Sequence, residues 1–187
     1  MRCNMACSHV HSSSTFLYID EAFLGVGLLA ANFDLAAYAL EIRDKVEKWT
    51  GIRACVGIGP SKTLAKLANY AAKKYRGTGG VVDPRDTQRR KRLMKITPVE
   101  EVWGVGRQLT KALNSDGIKT VWELHQTDLK AMRAKYSVVL ERTISELQGI
   151  SCLALEDSAR PKQQIVCSRS FGTRITEITQ MREAVRM

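Results

Sequence analysis

Hydrophobic and polar positions along this chain change period several times. Thr15–Leu24, TFLYIDEAFL, is a run of aromatic and aliphatic residues interrupted only at Asp20-Glu21, which predicts a strand with a break there. Gly25 and Gly27 loosen the segment after this strand. From Asp34 to Trp49, Leu35, Tyr38, Ile42, Val46 and Trp49 recur at helical spacing; Asp34 can cap that helix and Gly51 stops it. Ile52–Ile58 predicts a second strand, and a helix continues from it to about Tyr75. Gly77, Gly79 and Gly80 mark a turn, and Gly80–Val82 adds a short strand before Pro84. The order β-α-β-α-(β) predicts an α/β unit, a sheet covered by two helices.

The pattern changes after Asp83. From Thr87 to Gly149 there is no convincing strand, only short amphipathic helices separated by Gly and Asp/Asn turns, which predicts a separate small helical domain. Ser151–Gln163 is polar, carries Pro161 and reads as a linker. Ile165–Thr173 returns to strand character, and a helix begins over Ile178–Met187. The expected boundaries are 1–15, 16–84, 85–150, 151–164 and 165–187.

Composition sharpens this outline. The 187 residues suffice for one medium domain or two small ones, and a hydrophobic share of 44% can build a core. The net charge of +10 is uneven: Arg85, Arg89, Arg90, Lys91, Arg92 and Lys95 crowd one stretch that holds a single acid, Asp86. Such a balance favours a polyanionic partner, nucleic acid before membrane surface, although basic runs are also often solvated helix faces. No apolar stretch approaches the ~18 residues of a membrane span. The first residues, MRCNMACSHVHSSST, lack the apolar core of a secretory signal, so a cytoplasmic protein is expected. Cys55, Cys152 and Cys167 then read as reduced core residues. Cys3, Cys7, His9 and His11 are spaced more tightly than usual zinc ligands, and a disordered terminus is the preferred reading there.

Val56–Lys74, VGIGPSKTLAKLANYAAKK, is the most informative stretch. At about 100° per residue, Lys62, Lys66 and Lys73 fall within roughly 40° of one another, with Leu64, Leu67, Ala68 and Ala71 opposite. An ordinary surface helix with solvated lysines would show the same periodicity; so would a helix offering positive charge to an anion. A Walker loop is disfavoured because Pro60-Ser61-Lys62-Thr63 replaces its Gly-Lys-Ser/Thr, and Pro60 has no N–H for a phosphate. A dinucleotide fingerprint lacks its third glycine after Gly57 and Gly59.

Asp20-Glu21 is a carboxylate pair in an apolar run. It reads either as a turn between strands or as a Mg²⁺ site, since hard cations take carboxylate oxygens. Two-metal phosphoryl transfer needs a further carboxylate, and residues 1–19 contain no Asp or Glu. Trp103-Gly104-Val105-Gly106-Arg107 reads as a helix–Gly-x-Gly–helix junction, whose N–H groups, with Arg107 and Lys111, suit a phosphate. Leu109, Leu113, Ile118, Val121 and Leu124 would pack its two helices. This is the helix-hairpin-helix pattern of sequence-independent backbone binding; a simple helix–helix turn is the alternative.

Together these pieces resemble the Y-family translesion DNA polymerases, and most closely their UmuC branch. YIDEAF at Tyr18–Phe23, VGIGPSKTLAKLANYAAKK, GGVVD at Gly79–Asp83, VWGVGRQLTKAL and GIKTVWEL occur in family order, followed by VVLERTISELQGISCLALE and KQQIVCSRSFGTRIT. The resemblance runs from Phe16 onward; residues 1–15 are expected to stand outside it. It implies an α/β partial palm at 16–84, an all-α helix-hairpin-helix thumb at 85–150 and the first strand and helix of an α+β little finger at 165–187. It further implies that Asp20 and Glu21 are catalytic Mg²⁺ ligands and that Lys73 contacts the triphosphate of a deoxynucleoside triphosphate. Gly104, Val105, Gly106, Arg107 and Lys111 would hold the primer-template DNA. A UmuD-type accessory subunit and RecA are the implied protein partners. Two departures stand out. Tyr18 occupies a position where the family usually has Ser, and the first catalytic carboxylate motif and the fingers domain are not found. The chain is therefore expected to be a fragment with little or no polymerase activity of its own, with a non-catalytic DNA-binding remnant or a pseudogene product as the alternatives.

Overall fold

The computed structural model describes residues 3–8, 14–18, 21–27, 33–152, 172, 174, 176–179 and 181–182. Five strands form one mixed sheet: β1 (Cys3–Ser8), β2 (Ser14–Tyr18), β3 (Glu21–Gly25), β4 (Ala54–Ile58) and β5 (Val81–Val82), in the order β2-β3-β1-β4-β5. β2 and β3 are antiparallel, with an irregularity between Phe16 and Tyr18; this hairpin is the break expected at Asp20-Glu21. β1 pairs in parallel with both β3 and β4, and β4 with β5.

The central place of β1 corrects the expectation of a disordered terminus. CNMACS contains no β-branched or aromatic residue, so its local preference for strand is weak. Pairing decides instead, because β3 and β4 each meet a partner on their inner edge there. His9 and His11, of the four weighed as metal ligands, lie outside the described residues.

Helix α1 (Leu35–Thr50) starts where Asp34 accepts from the Ala36 and Ala37 N–H groups, and ends at Gly51, whose φ of 68° is left-handed. Leu35 and Ala39 pack with Val56 and Ile58 of β4. Helix α2 (Lys62–Lys74) lies on the opposite face of β4, since side chains alternate along a strand. Its approach is very close: a Cβ on Gly57 would stand 2.2 Å from the Ala65 carbonyl oxygen. Asn69 secures the contact by donating to the Cys55 carbonyl at 2.7 Å. The expected row Leu35, Tyr38, Ile42, Val46, Trp49 holds only over its first turns, for Trp49 is 76% exposed.

The helical remainder comprises α3 (Thr87–Ile96), α4 (Arg107–Ser115), α5 (Val121–His125), α6 (Leu129–Lys135) and α7 (Val138–Leu147). Most starts are marked in the sequence: Asp86, Thr120, Asp128 and Ser137 cap α3, α5, α6 and α7, and Thr120 forms a capping box with Glu123. One apolar cluster runs from Leu64, Leu67 and Ala71 of α2 through Met94, Leu113, Val121 and Leu124 to Leu140, Ile144 and Leu147. Helix α2 is thus shared by the sheet and the helical part. Cys152 is exposed rather than buried, and Cys55 is only partly buried. The strand expected at Ile165–Thr173 lies outside the described residues, apart from a bend at Gly172; Ile178, Thr179, Met181 and Arg182 are helical, within the helix expected there. Among the described residues no helix is long and apolar enough to cross a membrane.

Candidate functional site

The lysine face of α2 turns away from bulk solvent. Lys62 is only 5% exposed, with its ammonium 5.3 Å from the centre of the Phe23 ring. Lys66 sits between two partners: its Nζ is 2.7 Å from a Glu21 carboxylate oxygen and 4.2 Å from the centre of the Trp103 ring. Phe23 and Trp103 lie 6.1 Å apart, centre to centre. The surface-helix reading is thereby corrected. Trp103, distant in sequence, covers one part of the stripe, and β3 covers another.

The uncovered part is a cavity of about 190 Å³ lined by Glu21, Ala22 and Phe23 of β3, Lys66, Asn69, Tyr70 and Lys73 of α2, and Glu101 and Trp103. The structure therefore brings Glu21 and Lys73 to one place. Glu21 arrives there as the first residue of β3, and Lys73 because it is two helical turns beyond Lys66 on α2. Asp20 lies outside the described residues, so the carboxylate pair is seen through Glu21 alone. Sequence reasoning named Trp103 only within the Gly-x-Gly junction, and for this cavity it missed Glu101 and Tyr70. A signal for Trp103 was present: it directly precedes Gly104, whose φ of +91° turns the chain sharply at the cavity's edge.

The donor set bears on metal binding. The described cavity residues supply two carboxylates, Glu21 and Glu101, and two ammonium groups, Lys66 and Lys73, with Glu21 already paired to Lys66. Hard divalent cations take several oxygens free of cationic competitors. Among the described residues no cluster of three or more His, Cys, Asp or Glu is positioned to hold a metal ion. The described donors alone make no two-metal centre, Asp20 standing outside them; by themselves they suit an anion lying along α2. The register adds to this: Asn4 of β1 pairs opposite Glu21, and the whole of β1 carries no carboxylate.

A second cavity, of about 640 Å³, lies beside the first and shares Glu101 with it. Val105, Gly106, Arg107, Thr110, Lys111 and Asn114 line it together with Glu100. The junction is Gly104, then Gly106 as the N-cap of α4 without any side-chain cap bond. Its preceding element is a short 3₁₀ turn at Val99–Glu101 rather than a full helix. Arg107 and Lys111 are exposed, one helical turn apart. Behind them Leu113, Val121 and Leu124 are fully buried, and Leu109 and Ile118 pack against them, as their spacing predicts. Val105, Gly106, Arg107 and Lys111 are thus together on one rim, which Gly104 immediately precedes in the chain without lining it.

A profile of the impB/mucB/samB family matches residues 4–70. That span begins inside β1, which corrects the expectation that residues 1–15 stand apart from the resemblance. Protein UmuC of Salmonella typhimurium strain LT2 is 51% identical over 168 residues, 89% of this chain and 40% of that protein. Protein MucB of Escherichia coli is 47% identical over 178 residues, 95% of this chain and 41% of that protein. The chain thus spans about two fifths of the length of these relatives. In fold it is similar to the crystal structure of a DinB family error-prone DNA polymerase from Sulfolobus solfataricus. The TM-score is 0.61 and the identity 21%, over 80% of this chain and 44% of that one.

Proposed function

We propose, from the match of residues 4–70 to the impB/mucB/samB family profile and the 51% identity to protein UmuC, that this chain carries the triphosphate-facing palm surface and the DNA-holding thumb of a translesion DNA polymerase. The observation that carries the reading is the common cavity of Glu21, Lys66 and Lys73. Its substrates would be a deoxynucleoside triphosphate and primer-template DNA, and its reaction class nucleotidyl transfer past damaged bases.

Each group has a physical role in this reading. Lys66 and Lys73 stand on one helix face and meet the negative charge of a polyphosphate, which a low-dielectric cavity strengthens. The cavity is smaller than the ~300 Å³ at which ligand pockets usually begin, so it takes the phosphates and leaves sugar and base outside. The rim from Val105 to Lys111 offers the uncapped N–H groups of α4 and two cations to the DNA backbone. A Mg²⁺ ion held by Asp20 and Glu21 belongs to the proposal through family resemblance; it would neutralise developing phosphate charge. A UmuD-type subunit and RecA as partners, a cytoplasmic location, and the division into palm, thumb and little finger belong to it in the same way.

Titration calorimetry of the full chain with a deoxynucleoside triphosphate tests the reading. Lys73→Ala is expected to weaken binding about tenfold, the loss of one charge-assisted contact. Equal affinity for both proteins would overturn the placement of the triphosphate. Primer extension by the chain alone is expected to be weak or absent, because the strand beside Glu21 supplies no carboxylate. Robust extension would sink that part. A purely DNA-binding role is a second reading, favoured by the open rim around α4; it predicts DNA binding without any triphosphate binding.

A further inference from the structure

Helix α3 holds Arg89, Arg90, Lys91, Arg92 and Lys95 in ten residues and no acid at all. None of the described ion pairs involves any of these five. Helix α1 makes a sharp contrast on the same protein. There Glu41 pairs with Lys45, Asp44 with Arg43, and Glu47 with Arg53, so charge is cancelled locally. An ordinary solvated face resembles α1. A face of uncancelled cations is electrostatically costly unless an external anion balances it.

The geometry of the face is also specific. Leu93 and Met94 are buried and Arg90 is partly buried, which turns Lys91, Lys95 and Arg92 outward within about 100° of one another. Lys91 has an aromatic neighbour. Its Nζ lies 4.9 Å from the centre of the Trp122 ring on α5, and Trp122 stacks on His125 at 5.0 Å with a 12° interplanar angle. His125 is held toward its neutral form, first by burial and then by the charge of Arg90. The aromatic faces are therefore used within the protein, and what α3 offers outward is a row of positive charge.

We propose that the outer face of α3 (Lys91, Arg92 and Lys95) is a second DNA-contacting surface, engaging phosphodiester backbone and separate from the rim of Val105, Gly106, Arg107 and Lys111. This rests on the polymerase-family reading given above. The chemistry is that of backbone contact: cations without base-reading amides, and no open aromatic face for stacking. The surface therefore contributes affinity and salt dependence without sequence preference.

The experiment is DNA binding by the full chain, read by fluorescence anisotropy of a labelled primer-template at about 50, 100 and 200 mM salt, the range over which phosphate contacts show their salt dependence. Two variants are compared with the parent: K91A/R92A/K95A, and R107A/K111A at the other rim. All three α3 side chains are exposed and Ala favours helix, so the melting curve is expected to move by only a few degrees, for the lost Lys91–Trp122 contact. If three phosphate contacts are lost, the slope of log K against log salt falls by about 2 to 3. Affinity at about 100 mM then falls roughly tenfold or more. An unchanged slope and affinity in K91A/R92A/K95A, with R107A/K111A still impaired, overturns the α3 surface and leaves the polymerase-family reading standing. A parent chain that binds no DNA at any of these salts overturns both. The charge-reversal pair K91E/K95E gives the second reading; it must weaken DNA binding further, and parental affinity in it refutes the proposal. Loss of binding to phosphatidylglycerol vesicles with DNA binding intact would assign the face to a membrane surface and refute it as well.

Discussion

Glu146, near the end of α7, accepts hydrogen bonds from both the backbone N–H and the hydroxyl of Thr63 in the first turn of α2, each at 2.8 Å. The two residues are 83 positions apart in the chain. The other carboxylate oxygen accepts from the Cys152 N–H at 3.0 Å, and the Glu146 carbonyl accepts from the Ser61 hydroxyl at 2.7 Å. The side chain is fully buried. A carboxylate at a helix N-terminus satisfies orphan donors and meets the positive end of the helix dipole. Here the carboxylate comes from a distant helix, so it also ties α7 to the helix that carries Lys66 and Lys73.

Removing it leaves buried donors without an acceptor. Glu146→Ala is expected to cost on the order of 3 kcal/mol in urea unfolding. Glu146→Gln keeps one acceptor oxygen and loses the other, so a smaller cost of about 1 to 2 kcal/mol is expected. An Ala variant as stable as the parent would show that the tie contributes nothing.

Gly57 is required by space rather than by conformation. A Cβ there would meet the Ala65 carbonyl oxygen at 2.2 Å and the Asn69 nitrogen at 2.3 Å. Both atoms belong to the backbone of α2 and cannot yield without moving the helix off the sheet. Gly57→Ala is therefore expected to destabilise by on the order of 3 kcal/mol or more, read as a lowered melting temperature. Gly106→Ala is the milder comparison: a methyl group there would have nothing within 4 Å and the backbone φ is −86°, so only the N-cap preference of α4 is lost, about 1 kcal/mol or less.

These cases mark what is legible in the sequence. Asp34 and Gly51 bracket α1, and Asp86, Asp128 and Ser137 open later helices, because caps act within four residues and leave a local trace. The Leu113–Val121–Leu124 core is legible from period alone. The strand Cys3–Ser8 is not, since its pairing with residues near 21 and 54 decides its structure. The lysine stripe is visible in the sequence, but its surroundings are not. Trp103 and Glu21, which engage Lys66, stand 37 and 45 positions away from it in the numbering. Glu146 looks like any acid on an amphipathic helix; only the packing of α7 on α2 makes it a buried cap.

Asp116 and Tyr136 form a pH-sensitive pair at the far side of the helical part. The Tyr136 hydroxyl donates to Asp116, which also pairs with Lys135 at 2.6 Å. Asp116 is held below the ordinary carboxylate range, first by the hydrogen bond from Lys135 and then by that from Tyr136. Tyr136 is pushed up to about 12 by burial, by the hydrogen bond to Asp116 and by its charge. The signs oppose one another. The phenol favours the fold below its ordinary value of about 10, and that contribution is lost as pH rises through about 12. The carboxylate contributes above its ordinary value of about 4 and is lost as pH falls through its lower folded one. Ultraviolet titration against Tyr136→Phe should isolate one phenol ionising at about 12. In Asp116→Asn that phenol should titrate lower, and an unmoved titration would refute the coupling.

Lys66 joins Glu21 to Trp103 at the edge of the cavity. The ion pair is partly shielded, with side-chain exposures of 17% and 22%, so it is expected to exceed the roughly 0 to 1 kcal/mol of a fully exposed pair. A cycle of Lys66→Met, Glu21→Gln and the double variant should give a coupling of about 1 to 2 kcal/mol in unfolding free energy. Strict additivity would mean that the pair holds nothing together. The same variants separate charge from packing at the site. Lys66→Arg keeps a cation over the Trp103 ring and should retain triphosphate binding, whereas Lys66→Met should lose about as much as Lys73→Ala. Triphosphate binding that survives in Lys66→Met but fails in Lys73→Ala would restrict the anion to the far end of α2 and leave Lys66 a purely structural partner of Glu21.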